Sequence, residues 1–170
     1  MKPLLARLLL VLALAALSGC SGCPYSFTGS SVPAHLKTVA VPLFDDQSGS
    51  GEPGIRELLT NKLLNRFRQD NSLEVADKTR ADSMIEGTIV SMGSQPNVIT
   101  AGETVSRNRI SIGVKAAFQD LKLRKKVYEK QFSEWGDYDI SGGPEQRQAA
   151  IDAALEKLAE DILLETVSGW

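Results

Sequence analysis

The feature that most constrains the fold is an alternation that runs from Arg109 to Gln119. Ile110, Ile112, Val114, Ala116 and Phe118 take one parity, and Arg109, Ser111, Gly113, Lys115 and Gln119 take the other. Successive side chains of a strand point to opposite faces, so this segment is a strand with one buried face and one wet face. Asp120 to Lys125 turns the chain, and Lys126 to Tyr138 returns as the second arm of a long hairpin. A hairpin with one apolar face needs an apolar layer laid over it.

Two amphipathic segments can supply that layer. Ile55, Leu58, Leu59, Leu63 and Phe67 recur at helical steps behind Pro53, with Arg56, Lys62, Arg66 and Arg68 elsewhere on the surface and Asn71-Ser72 at the end. After Gly142-Gly143-Pro144, the stripe Ile151, Ala154, Leu155, Leu158, Ala159, Ile162 and Val167 predicts a second helix. Lys37 to Phe44 is a β-branched, nearly continuous apolar run that reads as a strand, with Pro42 near its end where a missing ladder donor costs least. Leu73–Ala76 and Met84–Met92 are further strands, and Gly93–Gly102 is a loop. The order β-α-β-β-β-β-α predicts an α+β fold: a two-layer α/β sandwich with both helices on one face of a mixed β-sheet. Its first two strands would be parallel, joined by a right-handed crossover, and the rest antiparallel.

The N-terminus is a separate matter. Lys2 and Arg7 precede the apolar run Leu8–Leu17, which Ser18-Gly19-Cys20 cuts short. That is a secretory signal peptide, too short to be a good membrane span. Leu17-Ser18-Gly19-Cys20 resembles a bacterial lipobox, in which the cysteine receives acyl chains and becomes the first mature residue. Several chains hold a protein on a bilayer durably, at roughly 0.8 kcal/mol per buried methylene. The division is then 1–19 signal peptide, 20–36 a tether from lipidated Cys20, and 37–170 one periplasmic domain. Removing residues 1–19 from 170 leaves 151, and losing Lys2 and Arg7 takes the formal charge from −2 to −4. Cys23 has no partner if Cys20 is acylated, and it is given no role. With Ser21 rather than Asp behind the anchor, the retention rule familiar from enteric bacteria would send such a lipoprotein to the outer membrane.

Composition narrows the chemistry. A net charge of −2 excludes a generally basic nucleic-acid binder. One His and two Cys leave almost nothing for a metal site, so no metal and no cofactor are expected. His35 falls in the tether and reads as a surface residue. The loop Asp45–Gly54 lacks the Gly-Lys-Ser/Thr ending of a phosphate loop, and the adjacent Asp45 and Asp46 point apart rather than pairing for acid/base work. No Gly-x-Ser-x-Gly elbow is present. An enzyme is not expected.

Positive charge is instead concentrated on the hairpin. Arg107, Arg109, Lys115, Lys122, Arg124, Lys125, Lys126 and Lys130 face only Asp120 and Glu129 between residues 107 and 130, a local +6 in an acidic domain. Such cations can grip phosphates and carboxylates; equally, edge lysines keep sheets from pairing with each other.

Several motifs, taken in order, resemble the lipopolysaccharide-assembly lipoprotein family, LptE. They are the lipobox cysteine followed by Tyr25-Ser26-Phe27, and Lys37–Phe44 with its loop to Gly54-Ile55-Arg56-Glu57-Leu58-Leu59-Thr60. Ala81–Ile89 follows, and then the hairpin with Phe118-Gln119-Asp120-Leu121 and Phe132–Tyr138. Cys23-Pro24 and a hairpin turn, Lys122-Leu123-Arg124, without Gly depart from the pattern. The resemblance implies a periplasmic domain tethered to the outer membrane that sits in or beneath an LptD-like β-barrel. It also implies help in barrel assembly and in delivery of lipopolysaccharide to the surface. The candidate lipopolysaccharide-binding residues are Arg107, Arg109, Lys115, Lys122, Arg124, Lys125 and Lys126. The alternatives are a plug whose value lies in shape alone, and an accessory lipoprotein of another outer-membrane secretion or envelope-assembly complex.

Overall fold

The computed structural model describes residues 32–97 and 107–170. Its elements are β1 (Thr38–Ala40), β2 (Asp45–Asp46), α1 (Ile55–Asp70), β3 (Glu74–Val75), β4 (Ser83–Pro96), β5 (Arg107–Asp120), β6 (Lys125–Asp139), a 3-10 turn (Ile140–Gly142) and α2 (Gly143–Ser168). The sheet runs β3-β1-β4-β5-β6, with β2 also on β4. β1 lies parallel to β3 and to β4, while β4, β5 and β6 form an antiparallel meander. This is the expected mixed α+β sandwich, and the two strands joined through α1 are the parallel neighbours anticipated for them.

The predicted strand Lys37–Phe44 is divided. Pairing with β4 stops after Ala40↔Met84 and resumes at Asp45↔Thr88, which leaves one residue more on the β1–β2 side. Pro42 brings no N–H to a ladder, so the chain bulges there. The N–H of Phe44 donates to Thr60 Oγ1 of α1 at 3.1 Å, and the buried Phe44 ring lies over Gly87. Asp45-Asp46, expected in a loop, thus becomes a second short stretch of the same edge.

β4 extends past the predicted Met92 to Pro96, where it pairs with β5 as far as Pro96↔Asn108. Its last residues are polar and unpatterned, so only a partner strand reveals them as sheet. Residues 98–102 of the predicted loop fall outside the described residues.

The core is where the pattern put it. Ile110, Ile112, Val114, Ala116 and Phe118 are all buried, as are Ile55, Leu59, Leu63 and Phe67 of α1 and the predicted stripe of α2. α1 stops at Asn71, whose left-handed backbone (φ 57°) returns an N–H to Phe67 O. Lys62 and Arg66, expected off the apolar stripe on the surface of α1, bridge the two helices: Lys62 meets Asp152 and Glu156 at 2.9 Å, and Arg66 meets Glu156 at 2.9 Å and Glu160 at 3.3 Å. Leu36 is buried in the core, so packing reaches back into the segment read as tether.

Candidate functional site

With the helices on one face of the sheet, the other face is open, and the hairpin register decides what it presents. Paired antiparallel residues share a face. Arg109 stands opposite Asp137, Ser111 opposite Trp135, Gly113 opposite Ser133, Lys115 opposite Gln131 and Ala117 opposite Glu129. Beside β5, β4 contributes Gln95, Gly93, Ser91, Thr88 and Glu86. The middle of the face is lined by small residues, and Trp135 is its one exposed aromatic ring among the described residues.

Arg109 grips Asp137 with two bonds, Nε to Oδ1 at 2.8 Å and Nη2 to Oδ2 at 3.0 Å. This pairing raises the Arg109 pKa and lowers that of Asp137. The same guanidinium lies 4.9 Å from the Trp135 ring centre, and Lys157 of α2 reaches round β6 to stand 5.3 Å from it. Lys157 Nζ also donates to Trp135 O at 3.0 Å, capping a carbonyl of the edge strand. Further along, Lys115 and Lys126 both pair with Glu129, and their bonds hold its carboxyl far below the usual range, at about 2. A hollow of about 400 Å³ opens there, where Pro42 and the exposed Leu43 border Lys115, Glu86 and Glu129.

At the β5–β6 turn, Lys122 Nζ meets Asp82 Oδ1 at 2.9 Å and donates to His35 O at 2.7 Å. Those bonds, with the Lys37 N–H, keep the Asp82 pKa low. His35 is not a free surface residue: its Nε2 lies 2.6 Å from Oδ2 of the nearly buried Asp120. Burial pushes the Asp120 pKa up, but His35 and the Leu123 N–H outweigh it and hold the carboxyl low. The turn lacks Gly, and Arg124 takes the left-handed position instead, at φ 52°.

The sequence-predicted cations do not form one site. Arg107 and Arg109 lie at one end of β5 and Lys122, Arg124, Lys125 and Lys126 at the other, about 40 Å apart at ~3.4 Å per residue. Nor is the hairpin openly cationic. The +6 stops at Lys130; carried to Asp139 it falls to +3, because Glu134, Asp137 and Asp139 join. Among the described residues, Arg107, Arg124 and Lys125 make no ion pair, while Arg109, Lys115, Lys122 and Lys126 do. Trp135, Asp137 and Asp82 complete this surface and were not singled out as site residues. The alternation Glu129, Gln131, Ser133, Trp135, Asp137 in the returning arm is the signal that would have found the first two. Cys20 and Cys23 lie outside the described residues. Among those described, no helix is long and apolar enough to cross a membrane, and no group of His, Cys, Asp and Glu is placed to hold a metal.

Comparison with known proteins bears on the whole domain rather than on one residue. No curated protein matches the chain in sequence. Among solved structures it is similar to protein XCC0632 from Xanthomonas campestris, with a TM-score of 0.57 and 15% identity over 81% of this chain and 90% of that one. It is similar to CT253 from Chlamydia trachomatis, with a TM-score of 0.59 and 10% identity over 79% and 97%. It is also similar to the rare lipoprotein B from Shewanella oneidensis, with a TM-score of 0.50 and 14% identity over 76% and 95%. These likenesses establish the fold. The family described as LptE, lipopolysaccharide-assembly, matches residues 36–166, which take in every described strand of the sheet, all of α1, and α2 up to its last two residues. The chain therefore belongs to the LptE lipopolysaccharide-assembly family.

Proposed function

We propose that this lipoprotein is anchored in the outer membrane by an acylated Cys20. There its domain partners an LptD-like β-barrel, helping the barrel assemble and helping lipopolysaccharide reach the surface, without catalysing a reaction. The observation that carries this reading is the family match across residues 36–166. The open sheet face is the surface proposed to meet the barrel lumen. It is the face the helices leave free, and its small residues allow close approach. It also offers one exposed indole held between two cations, the kind of aromatic anchor that dominates protein interfaces.

Lipopolysaccharide phosphates are proposed to engage the cations of this hairpin. Arg107 is exposed and without an ion pair among the described residues, and Arg109 and Lys115 lie along the same face. Each paired cation must trade its carboxylate for the ligand, so Arg107 is the readiest of the three. Arg107→Glu together with Arg109→Glu should weaken binding to purified lipopolysaccharide about tenfold or more, with circular dichroism unchanged. Unchanged binding in a folded variant would leave the domain as a plug that acts by shape. A tagged wild-type chain extracted from outer membranes should bring a large β-barrel with it. Recovery of subunits of a different envelope complex instead would favour the accessory-subunit reading.

A further inference from the structure

The end of the domain that receives the chain from Cys20 has a surface of its own. We propose that this surface rests on the anionic phospholipid headgroups of the bilayer that holds the anchor. The inference depends on the reading that Cys20 is acylated.

The geometry begins with how the leading segment is fastened. The Leu36 N–H closes a turn on Pro33 O at 2.9 Å, His35 bonds Asp120 at 2.6 Å, and Lys122 donates to His35 O at 2.7 Å. The Lys37 N–H bonds Asp82 at 2.8 Å. Val32 and its neighbours are thereby tied to the β5–β6 turn rather than to the far end of the hairpin. Twelve residue steps separate Cys20 from Val32. At ~3.3–3.6 Å per residue they span at most about 43 Å, so this turn, the end of the domain nearest the anchor, is within reach of the headgroups.

What the turn offers suits that surface. Leu123 is 65% exposed at its tip, between Lys122 and Arg124. Trp170 is 39% exposed at the same end, held edge-on against Phe118 at 5.8 Å, with its ring N–H satisfied by Thr166 O at 3.0 Å. Indole and leucine side chains beside cations are the composition of a membrane-interface contact. Arg124 and Lys125 are exposed and carry no ion pair among the described residues. Of the acids nearby, Asp82 is paired with Lys122, Asp120 with His35, and Glu129 with Lys115 and Lys126, while Asp70 bonds only the neutral Ser72 and Glu74 makes no ion pair among the described residues. At the turn itself the unpaired cations are Arg124 and Lys125, and an anionic surface attracts each Lys or Arg. Arg107 and Arg109, at the other end of the open face, lie nearly a strand's length away.

The test uses the mature chain with Cys20→Ser, so that acyl chains do not mask the contact. It is sedimented with vesicles of phosphatidylethanolamine containing about one third phosphatidylglycerol, and with vesicles of phosphatidylcholine alone. Binding is expected to the anionic vesicles only and to fall with added salt. Arg124→Asn with Lys125→Glu should weaken it about tenfold or more. Asn accepts a left-handed backbone, and Lys125→Glu alone provides a second variant that leaves that position untouched. In a Trp135→Phe background, Trp170 emission should shift to the blue on the anionic vesicles and not on the neutral ones.

Binding that ignores lipid charge, or a folded variant that sediments like wild type, overturns the proposal. So does a variant that loses purified lipopolysaccharide in parallel with phospholipid, because the turn would then belong to the lipopolysaccharide contact. A chain that brings down the barrel but does not bind anionic vesicles refutes this inference alone. One that binds the vesicles without bringing down a barrel refutes the functional reading alone.

Discussion

A methyl group added at residue 136 would lie 2.1 Å from the carbonyl oxygen of Ala150, which belongs to the backbone of α2. The comparable clash at Gly87, 2.2 Å, is with the Phe44 ring, which can tilt aside. Helix backbone cannot yield so cheaply, so Gly136→Ala should cost about 3 kcal/mol, the upper end of ordinary overpacking. Thermal unfolding should register this as a fall of several degrees, and an unshifted transition would mean that α2 does not sit so tightly on β6. Glu129 offers a test of the charge wiring. Its pKa is depressed from 4.5 to about 2 by Lys115 and Lys126, so its contribution is complete above the unfolded value and is lost as pH falls through about 2. Carboxyl chemical shifts should place its titration near 2, and Lys115→Met should move it upward. At this scale the parity of Ile110 to Phe118 was legible because it depends on neighbours two residues apart. The need for glycine at 87 and 136 was not, since Phe44 and Ala150 reach those positions only through the tertiary fold.

The same division holds for elements. Both helices could be read from their stripes, because the apolar periodicity and the terminating Asn71 of α1 or the Pro144 in the first turn of α2 are local signals. The first strand was legible as extended chain but not as two pieces: Pro42 marks the break only once pairing with β4 supplies a ladder to interrupt. The end of β4 carries no alternation at all and is strand because β5 holds it there. The charges of α1 and α2 were visible, but that Lys62 and Arg66 face Asp152, Glu156 and Glu160 required the helices to be set side by side. For the hairpin, the turn without glycine leaves Arg124 at φ 52°, a backbone that L side chains adopt at a cost of about 1 kcal/mol. Arg124→Gly should therefore raise stability by ~0.5–1 kcal/mol, read as a later urea midpoint with an unchanged slope. A lower midpoint would mean that the arginine side chain contributes more to the turn than its backbone costs.

For the molecule as a whole, the sandwich has one covered sheet face and one open face. The candidate site lies on the open face as an extended wired surface, not as the single cationic patch that charge counting suggested. The cations were legible because like charges cluster in the chain. Their partners were not, because Asp82 (for Lys122), Asp137 (for Arg109) and Glu165 (for Lys130) lie outside the counted window and come close only through sheet register and helix packing. The end proposed to rest near the anchor and the face proposed to meet a barrel are then distinct regions of one hairpin. The most direct test of this account is photo-crosslinking in living cells, with a reactive residue placed in turn at Ser111, Ser133 and Trp135 of the open face and at Gln148 and Glu160 of the helix layer. The account predicts that the open-face positions yield an adduct with a large outer-membrane β-barrel protein and that the helix positions do not. Adducts formed only from the helix layer, or none with any barrel, would contradict it.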